Sequence, residues 1–147
     1  MPKSTAAGKN MKGFDALADQ ALLAMKRRAK EIGIRGVAVV AWSEGRPVKS
    51  WSSKMLAVGG PICGPSDTNP AGANFLGIAC TKAAEMADTL KNSGSGVRPP
   101  KTGEYGWGGG VVKKMKQGVL LVAFSGGPSA DDVKVSRAGL KILERLS

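Results

Sequence analysis

The stretch Val119-Leu-Leu-Val-Ala-Phe124, followed by Ser125-Gly-Gly-Pro-Ser129, decides the fold class of this chain. An unbroken apolar run bounded by glycines predicts a buried strand, and the Ser-Gly-Gly turn ends it. Ser129 with Asp132 three residues later has the spacing of a capping box, which predicts that a last helix begins there. A strand that turns directly into a capped helix predicts helices packed against a sheet.

Two β-hairpins are predicted around this strand. The later one runs from Val111 to Phe124 and turns at the basic residues 113–118. The earlier one joins the β-branched strand Gly36–Trp42 to a second extended run, Pro47–Ser53. Residues 57–70 contain repeated glycines and prolines, so we expect a loop there.

Helices are predicted before, between and after the hairpins. Apolar residues over Met11–Ile32 recur at steps of three or four, as they do on one face of a helix. Asn69-Pro70, as N-cap and first helical residue, predicts a second helix to about Asn92. The order α-β-β-α-β-β-α predicts an α+β domain with an antiparallel sheet. We expect a disordered arm at residues 1–10 and a single domain over residues 11–147.

The composition excludes several classes of catalytic site. The chain has no histidine, which rules out Ser-His-Asp and Cys-His nucleophile pairs and every imidazole-ligated metal or haem iron, and we predict no metal site. Cys63 and Cys80 carry no C-x-x-C spacing, and we interpret them as two buried thiols. No stretch approaches 18 apolar residues and the N-terminus lacks an apolar signal segment, so we expect a cytoplasmic protein without a membrane span.

The net charge of +11 invites interpretation as a nucleic-acid binder. However, the 22 basic residues are spread along the whole chain, and three Trp, three Phe and one Tyr offer little platform for stacking bases. No helix-turn-helix, zinc-finger or RNP-type pattern accompanies them. Solvated surface charge is therefore the favoured interpretation, and a basic interaction module is kept as the weakest of three functional hypotheses.

Two lysines are candidate site charges. Lys54, with Met55, closes the second strand of the first hairpin, and Lys82 lies mid-helix on a small, apolar face. Glu85 follows Lys82 at i+3, so a local ion pair explains both residues as well as a ligand-facing role does.

Tyr105 and Trp107 lie in the long glycine-rich loop 93–110. Aromatic residues on such a loop can close over a flat ligand, although a loop that plugs one end of the core is equally consistent. Residues 124–132 superficially suggest a phosphate cradle but lack the P-loop lysine, so we interpret them as a tight turn before a capped helix.

Six motifs follow one another along the chain: Val37–Gly45, Lys54-Met55, Ile78–Ala83, Gly109–Val111, Ser125–Gly127 and Ala138–Leu140. Taken in this order, they resemble the GlcG/HbpS-like family, also called the haem-degrading or haem-binding domain family. The resemblance implies a profilin-like domain with a five-stranded antiparallel sheet, commonly assembled into homo-oligomers and similar to the C-terminal domain of the adenosyltransferase PduO. Since four strands are predicted from the sequence, the fifth would come from residues 54–66 or 93–108.

The resemblance leads to a first functional hypothesis, a protein that binds a small ligand, with haem or another flat anionic molecule as the candidate. Lys54 and Lys82 would meet carboxylates, while Tyr105 or Trp107 would cover the ring. Further residues assigned to this site are Met55, Gly109, Gly110 and Ser125. The missing histidine removes the commonest iron ligand from a haem site.

A second hypothesis is an enzyme acting on a small carbonyl or acid substrate. An apolar surrounding would lower the pKa of Lys82 and make it a base or an amine nucleophile, with Glu85 as the proton carrier. Both hypotheses stay open on the sequence alone.

Overall fold

Three helices and six strands make up the computed structural model, which describes the backbone of residues 6–66 and 69–146 and the side chains of those ranges from position 13 onward. In chain order they are α1 (Ala6–Ile32), β1 (Gly36–Ser43), β2 (Ser52–Val58), β3 (Cys63–Ser66), β4 (Asn69–Asn74), α2 (Phe75–Thr89), β5 (Gly110–Met115), β6 (Gly118–Ser125) and α3 (Ser129–Leu143). The α+β class is confirmed, and two strands are added to the predicted order.

The main sheet has four strands, in the order β2-β1-β6-β5, and every neighbouring pair is antiparallel. β1 and β6 lie in the middle and are buried along their whole length. Successive side chains point to opposite faces of the sheet. On one face Ala38 and Phe124 pack against α1 and α3, and on the other Val39 and Leu121 pack against α2. The domain therefore has three layers, with the sheet between the helices.

β3 and β4 form a separate two-stranded hairpin. It corrects two expectations. The loop expected over residues 57–70 contains most of this hairpin, and among the described residues the main sheet has four strands rather than the five that the family resemblance implies. Pro65 and Pro70 are tolerated because each strand of an isolated pair has a free edge, where a missing N–H breaks no ladder.

Arg35 fixes the position of this hairpin. Its guanidinium donates a hydrogen bond to the carbonyl of Pro65 (3.1 Å) and lies 5.3 Å above the centroid of the Phe75 ring. Gly60 and Gly64 leave the space it fills, since a Cβ at either position would collide with the guanidinium nitrogens. The hairpin is thereby held beside the first turn of α2.

The structure also corrects the ends of the second helix. Asn74, and not Asn69, is the N-cap: its side chain accepts a hydrogen bond from the N–H of Gly77 (2.9 Å). The helix stops before Asn92, because Leu90 adopts a left-handed conformation (φ 57°). Asn-Pro is a good helix start by itself, but here it begins β4 instead.

Three further boundaries differ from the predictions. The strand predicted at Pro47–Ser53 lies at Ser52–Val58. α3 begins at Ser129 as expected, but Pro128 is its N-cap residue and no side chain makes a capping hydrogen bond. α1 begins at Ala6, inside the segment for which an arm was expected, and residues 1–5 of that prediction lie outside the described residues.

The two cysteines are not both buried. Cys63 is exposed and Cys80 is half-buried, and both thiols are free. Burial raises the pKa of the Cys80 thiol above its usual value. No described helix is both long and apolar enough to cross a membrane.

Candidate ligand-binding cleft

A cleft of about 770 Å³ opens where the β3–β4 hairpin, the first half of α2 and the turn between β6 and α3 meet. Its wall is completed by two aromatic residues of the loop between α2 and β5. The described lining residues are Ser66, Asn69, Gly72, Ala73, Asn74, Phe75, Gly77, Ile78, Thr81, Lys82, Tyr105, Trp107, Ser125, Gly126, Gly127, Pro128, Ser129 and Asp132. They are mostly small, hydroxyl, amide or aromatic, which is typical of sites for small organic molecules.

A buried ion pair lies in the cleft wall. The Nζ atom of Lys82 is 3.0 Å from Oδ2 of Asp132 and donates a second hydrogen bond to the carbonyl of Phe124 (2.8 Å). The two charged side chains are only 4% and 3% exposed. Through these contacts one lysine joins α2, the end of β6 and the first turn of α3.

The carboxylate of Asp132 is satisfied on both oxygens. Oδ2 accepts from Lys82, and Oδ1 accepts the N–H of Gly127 in the turn before α3 (3.0 Å). Asp132 also lies in the first turn of its helix, where the helix dipole favours negative charge. Among the described residues, no fully buried side-chain nitrogen or oxygen lacks a hydrogen-bond partner.

Burial opposes charge on both members of this pair. It lowers the pKa of Lys82 below the ordinary value, and the attraction of Asp132 only partly restores it. It raises the pKa of Asp132 to about 6, against the opposing pull of Lys82. Each group is therefore closer to its neutral form than it would be in water.

Tyr105 and Trp107 are stacked on each other at the cleft, with ring centroids 4.3 Å apart and an interplanar angle of 14°. They remain 54% and 49% exposed. Rings that stack on each other and still face solvent offer a flat apolar surface to a ligand.

Arg98 holds the loop that carries these rings. Its guanidinium donates two hydrogen bonds to the carboxylate of Glu104 (2.7 and 2.9 Å) and two more to the carboxylate of Asp88 of α2 (2.7 and 3.1 Å). The hydrogen bonds from Arg98 lower the pKa of Glu104 to about 2 and raise the pKa of Arg98 itself. Two carboxylates on one guanidinium fix the loop against α2.

The structure brings four of the predicted site residues to the cleft: Lys82, Tyr105, Trp107 and Ser125. The two predicted glycines lie behind the ion pair rather than in the lining. Gly109 packs against Lys82 and Asp132, and the N–H of Gly110 donates to the hydroxyl of Ser93 (2.8 Å).

The other predicted site residues lie elsewhere. Lys54 and Met55 are on β2, where the ammonium of Lys54 pairs with Asp15 and Asp19 of α1 (2.9 and 3.0 Å). These hydrogen bonds raise the pKa of Lys54. Lys54 and Lys82 therefore do not share a cleft.

The local ion pair that was one of two explanations for Lys82 and Glu85 is not formed. Glu85 is buried and accepts the N–H of Gly94 (2.8 Å), because at i+3 it faces the loop after α2 while Lys82 faces β6 and α3. Among the described residues, no group of three side chains is arranged to hold a metal ion.

No family model matches the sequence, and no curated protein matches it either. The structure is nevertheless similar to the crystal structure of Klebsiella pneumoniae protein ORFY, of the family model DUF336, with a TM-score of 0.60 and 17% identity over 90% of each chain. The fold is that of ORFY. DUF336 proteins are also known as GlcG-like, the family that the sequence motifs resemble.

Asp132 is the site residue that the sequence did not reveal. Its position in a capping-box spacing favoured a purely local role, while its partner lies fifty residues earlier in the chain. One signal pointed to it: the acidic residue lies in the first turn of a helix that follows a Ser-Gly-Gly turn at the end of a buried strand, and therefore near the edge of the sheet. The residues of the β3–β4 hairpin were missed because their glycines and prolines indicated a loop.

Proposed function

We propose that this protein binds a small, flat ligand of no net charge in the cleft between the β3–β4 hairpin and the start of α3. The observation that carries the proposal is the charge balance of the site. Among its described lining residues only Lys82 and Asp132 are charged, and they neutralise each other at 3.0 Å. Among these described residues, an anionic ligand would find no cation without a carboxylate partner, and a cationic ligand would find no carboxylate without a cation partner.

The shape of the cleft supports a ring-shaped ligand. A volume of about 770 Å³ lies within the range of roughly 300–1,000 Å³ common for small-molecule sites. The stacked pair of Tyr105 and Trp107 provides a planar wall, and the hydroxyl and amide groups of Asn74, Thr81 and Ser129 provide hydrogen bonds. A planar ring with one or two polar substituents fits both features.

The residues present do not fit haem. Its two propionates need cations, and of the two lysines expected to supply them one is paired with Asp132 and the other lies on β2. Among the described lining residues, the phenol of Tyr105 is the strongest iron ligand, and it is stacked on Trp107. We therefore place an uncharged flat ring ahead of haem.

The indole N–H signals of the three tryptophans provide a direct test by NMR. Trp42 is buried in the core, Trp51 is exposed outside the cleft lining, and Trp107 lines the cleft. Titration with 2-naphthylmethanol, a flat uncharged probe, should move the Trp107 signal saturably and leave the Trp42 signal in place. The anion 2-naphthoate should bind at least severalfold more weakly, and haemin should give no saturable shift.

Matched variants define the site. Trp107→Ala should weaken binding of 2-naphthylmethanol, whereas Trp51→Ala should not. An equal response at Trp51 and Trp107, tighter binding of the anion, or no saturable shift with the uncharged probe would contradict the proposal.

A further inference from the structure

The ammonium of Lys82 has one N–H more than its partners in the described structure use. It donates to the carbonyl of Phe124 and to the carboxylate of Asp132, and an ammonium has three N–H groups. Only 4% of the Lys82 side chain is exposed to solvent, yet the residue lines the cleft. The third N–H of Lys82 is therefore available to donate a hydrogen bond to a molecule bound there.

Asp132 is placed to take a proton from this lysine. The distance of 3.0 Å between Nζ and Oδ2 is that of a direct hydrogen bond, so no water is needed for the transfer. The shifts described above favour the same exchange, since burial raises the pKa of the acid and lowers the pKa of the amine. A neutral amine beside a neutral carboxylic acid is thus more accessible here than at an exposed ion pair.

We propose that Lys82 forms an imine with a flat aldehyde or ketone held in the cleft, and that Asp132 carries the proton. This inference deepens the proposed function and rests on it, because it assigns the ligand class of the same cleft. A planar aromatic carbonyl compound satisfies the ring wall and places its carbonyl carbon at Nζ.

The step balances without any further reagent. Asp132 takes one proton from the ammonium, and the freed electron pair of Nζ attacks the carbonyl carbon as the C=O π bond breaks. One of the two protons left on Nζ then passes to the former carbonyl oxygen, which gives a neutral carbinolamine. Asp132 then returns the proton to the carbinolamine hydroxyl, which leaves as water while the C=N bond forms. One ammonium and one carbonyl compound give one protonated imine and one water, and the carboxylate is restored.

Glu85 does not serve as the proton carrier in this arrangement. Its carboxylate accepts a hydrogen bond from the N–H of Gly94, while the ion pair of Lys82 is made with Asp132. The proton-transfer pair therefore spans two helices, α2 and α3.

Reductive trapping on the full chain tests the inference. The protein is incubated with 2-naphthaldehyde and cyanoborohydride, and the modified lysines are located by peptide mass mapping. At low probe concentration we expect the adduct on Lys82 to exceed that on the exposed lysines Lys49 and Lys101 at least tenfold. 2-Naphthylmethanol, which has no carbonyl, should compete with it.

Two outcomes separate this inference from the ligand-binding proposal. If 2-naphthylmethanol moves the Trp107 signal but the aldehyde labels Lys82 no faster than Lys49 and Lys101, the imine is rejected and the binding function stands. If the naphthyl probes bind nowhere near Trp107, both proposals fail.

Variants at position 132 isolate the proton carrier. Asp132→Asn keeps a hydrogen-bond acceptor but not the acid, and should slow trapping at Lys82 at least tenfold when the two chains are compared at saturating aldehyde. Asp132→Glu keeps the acid and should retain more of the rate than Asp132→Asn. An unchanged rate in Asp132→Asn would overturn the role of Asp132, and the mapping on the unaltered chain decides the inference if that variant does not fold.

Discussion

Gly109 lies directly against the ammonium of Lys82, and a Cβ at position 109 would be 2.5 Å from Nζ. The same Cβ would be 2.9 Å from the Cβ of Asp132. The backbone of Gly109 has φ +127°, a conformation that other residues rarely adopt. The loop can therefore close over the buried ion pair only because this residue has no side chain.

Gly109→Ala should destabilise the protein by about 1–3 kcal/mol, because it combines backbone strain with overpacking against Lys82. Gly103→Ala is the matched control. Gly103 also has a positive φ (+95°), but nothing lies within 4 Å of its added Cβ, so the control measures the backbone effect alone. Urea unfolding of both variants gives the comparison, and equal losses would show that the contact with Lys82 contributes nothing.

Removing one member of the Lys82–Asp132 pair should be much worse than removing both. Lys82→Met leaves a buried carboxylate without its cation, which typically costs about 3–5 kcal/mol. Since burial outweighs attraction in the pKa shifts of both residues, the double variant Lys82→Met/Asp132→Leu should be about as stable as the unaltered chain. Chemical denaturation of the unaltered chain and the two variants tests this, and a double variant less stable than Lys82→Met alone would contradict it.

Acidification should stabilise the unaltered chain relative to Asp132→Asn. The folded state raises the pKa of Asp132 to about 6 from 3.8, so it binds a proton more tightly than the unfolded state does. The contribution of Asp132 to stability therefore rises as the pH falls from about 6 to about 4, by up to about 3 kcal/mol, and is absent in the asparagine variant.

The stability that Glu104 contributes changes with pH in the opposite direction, but it does not affect the difference between the unaltered chain and Asp132→Asn. Its pKa is lowered to about 2, so the stability it contributes is present above pH 4.5 and is lost as the pH falls through 2. It is the same in both chains and cancels. Denaturation midpoints at pH 4.5, 5.5 and 6.5 should show the difference growing towards low pH, and a constant difference would rule out a raised pKa at Asp132.

Arg98→Lys should weaken ligand binding without unfolding the domain. A lysine keeps the charge but cannot donate two hydrogen bonds to each of the carboxylates of Glu104 and Asp88. The loop that carries Tyr105 and Trp107 should therefore become less ordered. We expect the affinity for 2-naphthylmethanol to fall about threefold to tenfold. Hydrogen exchange of residues 101–107 should accelerate, while the exposed control Arg137→Lys changes neither quantity.

The sequence predicts best the elements whose packing is uniform along their length. β1 and β6 are apolar at nearly every position because both faces are covered, and α1 repeats its apolar residues at helical steps. The β3–β4 hairpin could not be predicted in this way, since it is fixed mainly by Arg35, a residue in a different segment. Its two strands, with the sequences CGPS and NPAGAN, also lack the alternation of apolar and polar residues that identifies a strand in a sequence.

The candidate site could likewise be predicted only in part, because some of its residues stand out in the sequence and others depend on tertiary packing. Tyr105, Trp107 and Lys82 could be found because an aromatic residue in a glycine loop and a charge on an apolar helix face are local anomalies. The pairing of Lys82 with Asp132, and of Lys54 with Asp15 and Asp19, depends on which helix covers which face of the sheet. Spacing along the chain carries no information about that choice.

Two of the basic residues lie on the outer strand β5, where their charge has a physical consequence. Lys113 and Lys114 are adjacent and exposed, and among the described residues their strand has a sheet neighbour on one side only, β6. An exposed edge strand can pair with a strand of another molecule and so start aggregation. Lysines on such a strand oppose this pairing by electrostatic repulsion and hydration. Raising the salt concentration screens this repulsion and should therefore promote aggregation of the chain along the β5 edge.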